Sequence, residues 1–348
     1  MRSDVGIIKK DIKSMSLEGL KEYFVSIGER AFRGEQVFKW LHEGITSFAE
    51  MTNLPSMLRA RLDDEFYITF PYIHERHVSK LDGTIKYLWR LTDGAYIESA
   101  VMSYEHGYSV CISTQVGCRM GCVFCASAIA GLERNLAASE MLDQVLFTQI
   151  DIGKRISNVV LMGIGEPLDN FENVIRFLEL INHPDGLGIG ARHITLSTCG
   201  VIEYIDKLVK YDIQLTLAIS LHAADDETRR YLMPASRDCT VDDLLAVCVD
   251  YFRKTGRRVT YEYALIAGVN DSTGHAETLA RKLRNTGCHL NIILLNNISE
   301  RGFSASCQKT ARAFTDILKK NGINYTFRRR LGGDIDASCG QLRHRASC

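Results

Sequence analysis

From about residue 108 to residue 328 the chain repeats one unit: a short β-rich run, a turn, then an amphipathic stretch at helical spacing. The runs expected as strands are 108–113, 157–162, 192–197, 214–220, 258–265, 289–294 and 324–328, with a helix near 170–181. This alternation leaves little topological choice, because a strand that returns through a helix pairs parallel to its predecessor by a right-handed crossover. The expected fold class is α/β, a partial (β/α)6 barrel that does not close. Its working face belongs at the C-terminal ends of the strands, as in full eight-stranded barrels.

The first of these strands feeds the loop Cys118-Arg119-Met120-Gly121-Cys122-Val123-Phe124-Cys125. Three thiolates at C-x3-C-x2-C spacing, beside Gly117 and Gly121, can converge on one metal centre. No fourth ligand is local, and no second Cys-x-x-Cys pair occurs in the sequence. Structural zinc closes its tetrahedron with four ligands, and a fully ligated iron–sulfur cluster takes four thiolates. Three ligands and one open iron make sense where something else must bind. The competing readings are a zinc knuckle that borrows a distant His, and three idle buried cysteines.

Other strand ends carry small polar groups. Gly163-Ile164-Gly165-Glu166-Pro167 follows 157–162 and offers close backbone approach plus an anionic acceptor for an ammonium group. A dinucleotide fingerprint fails there, because Leu168 stands in place of the third glycine. Ser197-Thr198, Ser220-Leu221-His222 and Asn296 end three further strands. Each alone reads as a satisfied structural residue, but together they are more simply explained by one shared pocket. Near the C-terminus, residues 332–342 read as a flexible, glycine-flanked loop presenting Cys339. Cys339 and Cys111 share one bland reading, the inert buried thiol.

Upstream, residues 16 to about 68 read as three helices, with Leu17, Leu20, Tyr23 and Phe24, then Phe32, Val37, Trp40 and Leu41, at helical spacing. Leu54-Pro55 opens the third, where Pro is tolerated in the first turn. Arg30, Arg33, Lys39, Arg59 and Arg61 suit either a polyanion-binding surface or a plain packing domain. Residues 72–114 alternate and carry the hairpin signals Asp82-Gly83 and Asp93-Gly94. The expected organisation is therefore 1–70 helical, 71–105 a β-meander connector, and 106–348 the barrel with its C-terminal Cys loop.

Net charge is zero, so nothing global points to nucleic acid. Local clusters remain at Arg253-Lys254 with Arg257-Arg258, at Arg328-Arg329-Arg330 and at Arg343-His344-Arg345. No apolar run approaches the ~18 residues of a membrane span, and the opening residues lack an apolar signal core, so a cytoplasmic protein with no membrane partner is expected. The eleven cysteines are an odd number, scattered through 348 residues, which argues for reduced thiols over a disulfide framework.

With these residues in view, the cysteine loop resembles the cluster motif of the radical S-adenosylmethionine superfamily, and 163–167 resembles its methionine-amine motif. More narrowly, 115–125, Arg134-Asn135-Leu136, 162–167, 220–223 and 334–342 resemble the RlmN/Cfr family, over most of the chain and including 32–41 of the helical segment. That resemblance implies a radical S-adenosylmethionine methyltransferase of an adenine in 23S rRNA, with tRNA a further substrate, and an RNA-binding role for the helical domain. It implies a 4Fe-4S cluster on Cys118, Cys122 and Cys125, and S-adenosylmethionine contacts from Gly165, Glu166, Ser197, Ser220, Leu221, His222 and Asn296. It also implies Cys339 as the methylated cysteine, Cys111 as the cysteine that resolves a protein–RNA adduct, and Glu98 as proton acceptor. A flavodoxin-like electron donor and a monomeric enzyme are expected. The segments 328–332 and 255–260 resemble RlmN more than Cfr, which favours adenine C2 over C8. Two departures stand out: no proline flanks Asn296, and Ser338 stands where Ala is usual.

Overall fold

The computed structural model describes residues 9–342 apart from Arg237, Asn297 and Ser299. Arg343, His344 and Arg345, singled out above, lie outside the described residues. The chain opens with β1 (Lys10–Asp11) and the helices α1 (Leu17–Ser26), α2 (Phe32–His42) and α3 (Ser56–Glu65), and β2 (Phe66–Tyr67) then pairs back in parallel with β1. Ser16 caps α1 by accepting from the Gly19 N–H, and Leu17, Leu20 and Phe24 are buried beneath it. In α2 the buried stripe is Val37, Phe38 and Leu41. Phe32 and Trp40, read at the same helical spacing, flank that stripe: Phe32 is exposed, and the Trp40 indole N–H donates to Asn53 Oδ1 at 2.8 Å.

Next come β3 (Tyr72–Val78), β4 (Ile85–Arg90), β5 (Tyr96–Tyr104) and β6 (Gly107–Cys111), an antiparallel meander turning at the two Asp-Gly pairs. A separate antiparallel ribbon, β7 (Gln115–Gly117) with β8 (Leu132–Asn135), brackets the cysteine loop. The alternating part follows as α4 (Ala138–Ile152), β9 (Ile156–Leu161), α5 (Phe171–Asn182), β10 (Ile194–Thr198) and α6 (Ile202–Lys210). It continues as β11 (Thr216–Ser220), α7 (Asp226–Leu232), α8 (Val241–Thr255), β12 (Thr260–Leu265), α9 (Thr273–Leu283), β13 (His289–Leu294), α10 (Gln308–Lys320) and β14 (Tyr325–Phe327).

All the long strands join one ten-stranded sheet in the order β14-β13-β12-β11-β10-β9-β6-β5-β4-β3. From β6 to β14 the pairing is parallel, and the two edges do not pair, so the expected α/β architecture stands and the barrel is open. The segment 71–105, expected as a connector, extends this sheet edge to edge through the β5–β6 pairing. Strand β6 ends at Cys111, short of the expected Ser113, because the Ser113 N–H turns to Gln144 Oε1 on α4 at 2.8 Å. The core is a continuous set of buried aliphatic and aromatic side chains that runs from the helical segment into the strands.

The helical segment is keyed to α4 by a buried ion pair. Lys13 Nζ donates to Asp143 Oδ1 and to the Thr69 carbonyl, both at 2.7 Å, and Thr69 Oγ1 donates to the other Asp143 oxygen at 2.7 Å. Side-chain exposure is 0% for Lys13 and 2% for Asp143. Removing one partner of such a pair strands a charge out of water, which costs more than the pair itself contributes. Lys13→Met is therefore expected to destabilise the protein by roughly 3–5 kcal/mol, read as a shift in urea unfolding of the cofactor-free chain. Lys13→Met with Asp143→Leu should recover much of that loss; a double variant as unstable as the single one would refute this account.

Candidate active site

The C-terminal strand ends converge on one chamber with about 970 Å3 of atom-free space, measured out to its open mouth. Its wall includes Cys118, Cys122 and Cys125, together with Gly165, Glu166, Ser197, Ser220, His222, Asn296 and Cys339. Of the residues expected to contact cofactor, only Leu221 is absent from this wall; it is fully buried behind His222, and its N–H donates to the Glu262 carbonyl at 3.0 Å.

The cysteine loop is an excursion between two paired strands, and hydrogen bonds hold it from several directions. The Cys118 N–H donates to the Gly131 carbonyl at 2.8 Å, Val123 to the Leu232 carbonyl at 3.0 Å, and Ala126 to the Gly340 carbonyl at 2.9 Å. Arg119 forms an ion pair with Asp169, and Arg301 donates to the Cys125 carbonyl at 3.2 Å. Gly117 has φ +75°, and a Cβ there would lie 1.9 Å from the Gly131 carbonyl oxygen, so no other residue permits this closure.

Glu166 is buried and takes two backbone donors, Leu168 N–H at 3.0 Å and Cys199 N–H at 2.8 Å. Burial raises its pKa, and those donors pull it back. Gly165 has φ +106°, and any Cβ would meet Gln115 at 2.7 Å; glycine is what lets the turn lie against β7. His222 holds an unusual left-handed conformation at φ 53°. Its Nδ1 accepts from the Ala264 N–H at 3.0 Å, which leaves the proton on Nε2, and burial lowers its pKa to about 3. It therefore faces the chamber as a neutral N–H donor. Asn296 donates to the Cys339 carbonyl at 3.0 Å, while its Oδ1 is buried without a partner.

Arg229 was not anticipated from the sequence. It is 1% exposed and ties three carbonyls together: Ser220 at 3.0 Å, Leu221 at 2.6 Å and Cys199 at 2.5 Å. Cys199, Glu262 and Arg328 also line the chamber and were not read as site residues. Glu262 did leave a signal, since it is an acidic residue inside an otherwise apolar strand.

A second chamber shares Met162, Asn296, Arg328 and Cys339 with the first, and Cys111 lines it. Thus Cys111 and Cys339 face one space. Burial and the neighbouring Cys339 push the Cys111 thiol up to about 12. Cys339 is exposed, which removes the buried-thiol reading for it, and its loop is anchored where the sequence suggested flexibility. Ser79 Oγ and Lys80 N–H donate to Asp334 at 2.7 and 2.9 Å, and Gly332 N–H donates to Asp82 at 2.8 Å. Ser338, one of the departures noted above, donates its hydroxyl to the Leu331 carbonyl at 2.7 Å and helps fix the loop. Glu98 lines neither chamber. It is buried on β5, 3.5 Å from Lys86, and shares a sheet face with Cys111 because its neighbour but one, Ala100, pairs with Cys111.

Among the described residues no three His, Cys, Asp or Glu groups sit closely enough to hold a single ion. Three separated thiols on one wall, beside an orphaned amide oxygen and a neutral imidazole donor, suit a larger inorganic cluster with an organic ligand next to it. Such a wall at the C-terminal end of an open α/β barrel defines a radical S-adenosylmethionine enzyme. The radical SAM superfamily model matches residues 112–300, and the model for the ribosomal RNA large subunit methyltransferase N-terminal domain matches residues 10–68. A curated relative from Alkaliphilus metalliredigens, described as a probable dual-specificity RNA methyltransferase RlmN, is 50% identical, with 97% of this chain and 96% of that protein covered. One from Clostridium tetani with the same description is 46% identical, with 96% of each covered. The crystal structure of a radical SAM methyltransferase from Sphaerobacter thermophilus is 40% identical, covers 96% of this chain and 99% of its own, and superposes with a TM-score of 0.90. The chain belongs to the RlmN family. It is a radical SAM methyltransferase, and its cofactors are a 4Fe-4S cluster and S-adenosylmethionine.

Burial pushes the Cys118 thiol up to about 12 and also raises that of Cys122. A cluster held by these thiols, as the spacing leads one to expect, would displace those protons, so its uptake should weaken as pH falls. Anaerobic reconstitution is expected to load about four irons per chain, measured by iron analysis and visible absorbance. Alanine at Cys118, Cys122 or Cys125 should abolish the chromophore, and stoichiometric zinc with no iron would refute the assignment.

Proposed function

We propose that this enzyme methylates C2 of an adenine in 23S rRNA and in tRNA, through a methylated Cys339 and a covalent protein–RNA intermediate. The observation that carries the reading is that Cys339 lies on the wall between the cofactor chamber and the chamber lined by Cys111. The relatives described as dual-specificity RNA methyltransferases support RNA as the substrate class, and the likeness of 328–332 and 255–260 to RlmN supports C2 over C8.

Cys118, Cys122 and Cys125 would hold the cluster, and Gly165, Glu166, Ser197, Ser220, His222 and Asn296 would hold S-adenosylmethionine; Leu221, whose backbone N–H and carbonyl are taken by Glu262 and Arg229, is left out of that set. Together these groups supply the methyl group and the hydrogen-abstracting radical that an electron-poor adenine carbon requires. The chain's own part begins with Cys339, whose thiolate is the nucleophile that accepts a methyl. That carbon, short of one hydrogen atom and still on sulfur, becomes bonded to the adenine; the adduct then loses one electron, which offsets the electron spent in generating the radical, and one proton, assigned in this reading to Glu98 with Lys86 3.5 Å away to balance its charge. Cys111 then attacks the Cys339 sulfur: an S–S bond forms, the S–C bond breaks, and its electron pair leaves with the carbon, which is protonated to the product methyl. Two external electrons reopen the disulfide, so a flavodoxin-like donor is part of this reading, as are a monomeric state and action in the cytoplasm. Among the described residues no helix is long and apolar enough to cross a membrane.

Cys339→Ala should stop turnover before any bond to RNA forms. Cys111→Ala should build the adduct and fail to release it, giving a crosslink that survives denaturation, vanishes on nuclease digestion and requires S-adenosylmethionine, reductant and an intact cluster. Normal turnover by Cys111→Ala, or equal crosslinking by Cys339→Ala, sinks the two-cysteine mechanism. Mass spectrometry of the modified adenosine separates C2 from C8.

Phosphate contact is expected from the exposed Arg329 and Arg330 at the mouth of the second chamber. Arg328, grouped with them in the sequence, is instead partly buried and paired with Glu262 at 3.1 Å. Arg329→Ala with Arg330→Ala should reduce the slope of log affinity against log salt by about 0.7–0.9 per arginine. An unchanged slope across a salt titration assigns both to an ordinary solvated face.

A further inference from the structure

The wall shared by the two chambers carries one cation, Arg328, to which the roles above give no part in the chemistry. Arg328 follows β14, and its backbone N–H donates to the Ile292 carbonyl at 2.8 Å. Its Nη1 lies 3.1 Å from Glu262 Oε2, and its Nη2 lies 3.1 Å from Met162 Sδ. The carboxylate is itself fixed. Asn291 Nδ2 donates to Glu262 Oε1 at 2.9 Å, and Asn291 Oδ1 accepts from Thr326 Oγ1 at 2.7 Å. Three parallel strands, β12, β13 and β14, thus hold one guanidinium in place. Of the three arginines lining the second chamber, Arg328 alone also lines the first.

We propose that Arg328, braced by Glu262 on the wall that Cys111 and Cys339 share, is a positioning residue that favours the thiolate of Cys111 for its attack on Cys339 when the product is released. This rests on the two-cysteine reading above. The titratable groups that line this space are Tyr104 on β5, Cys111 on β6, Cys339 on its loop, and Arg329 and Arg330 beside Arg328, with Glu262 of β12 behind Arg328 in the first chamber and the Glu98–Lys86 pair on the same sheet face as Cys111. Cys111 needs the help most, because it is sequestered on a sheet strand and its thiol is driven upward by burial, with Arg328 opposing that shift. At the release step Cys339 is a neutral thioether, so Glu262 is the anion that still draws on the field of Arg328 while that field acts on Cys111. The attack joins the two sulfurs and breaks the S–C bond. The sulfurs together lose two electrons to the departing carbon, which takes up a proton from water in the open chamber. A thiol cannot perform this displacement at a useful rate; the thiolate is the nucleophile.

The test reads the Cys111 thiol directly. In reconstituted enzyme carrying Cys339→Ser, which keeps the neighbouring position neutral, iodoacetamide labelling of Cys111 is followed against pH by peptide mass spectrometry. Arg328→Gln should raise the midpoint by about one pH unit, a roughly tenfold slower reaction at a fixed pH below it. Arg328→Lys should restore most of that difference. Glu262→Gln should move the midpoint the opposite way, since it leaves the cation uncompensated. Arg328→Gln with Glu262→Gln, which leaves no buried carboxylate unpaired, should still lie above the parent. In the enzyme with Cys339 intact, Arg328→Gln should form methylated Cys339 and then accumulate the RNA crosslink, with release accelerating about tenfold per pH unit. Unmoved midpoints, or shifts of both single variants in one direction, overturn the proposal, as does loss of Cys339 methylation in Arg328→Gln. If Cys111→Ala forms no crosslink, the two-cysteine reading falls and this role falls with it. A crosslink in Cys111→Ala beside an unmoved midpoint removes the Arg328 role alone.

Discussion

Strand β6 is hydrogen-bonded along both edges, antiparallel to β5 and parallel to β9, and the geometry of the site follows from that double pairing. Through β5 it joins the meander to the barrel. The β3–β4 turn, carrying Ser79, Lys80 and Asp82, then reaches the C-terminal loop and fastens it by Asp334 and Gly332. At its own end β6 delivers Cys111 into the second chamber and passes the chain to the ribbon that brackets the cysteine loop. Were the meander a separate module, Cys339 would hang on a glycine-rich tail. In this sheet it is anchored from the far end of the molecule.

The site is also a collection of buried charges, each with a countergroup. Glu166 is held by two backbone donors, Glu262 by Arg328 and Asn291, and Glu98 lies beside Lys86. Arg229 has no carboxylate among its hydrogen-bond partners and is met by three carbonyls instead. Low local polarity makes each of these groups costly when unpaired and strongly directing when paired. The same low polarity raises the thiols of Cys118, Cys122 and Cys111, which disfavours the thiolate at each of them.

The helical segment takes part through packing. Its buried face is continuous with the barrel core, and the Lys13–Asp143 pair docks it on α4, whose Gln144 holds Ser113 beside the cysteine loop. A fault in that docking would thus reach the cofactor site through a single helix, without touching any group that binds cofactor.

Much of this was legible in the chain itself. Strand–helix alternation decided a parallel sheet, because local periodicity and the handedness of crossovers suffice for that. The spacing Cys118/Cys122/Cys125 and the glycines at 163 and 165 announced a cofactor loop, since ligand spacing and close backbone approach are properties of a few consecutive residues. Ser197, Ser220, His222 and Asn296 were legible as strand ends, and their convergence needed only that the strands be neighbours. Tertiary structure alone decided that Cys111 and Cys339, far apart in sequence, line one chamber, and that the loop expected to be flexible is fixed by a distant hairpin. It likewise decided that Arg328 is a partner of Glu262 where its neighbours Arg329 and Arg330 face solvent, and that Arg229 braces two neighbouring strand ends. Periodicity cannot reveal such pairings, because a buried charge acquires its meaning from the group that folding places opposite it.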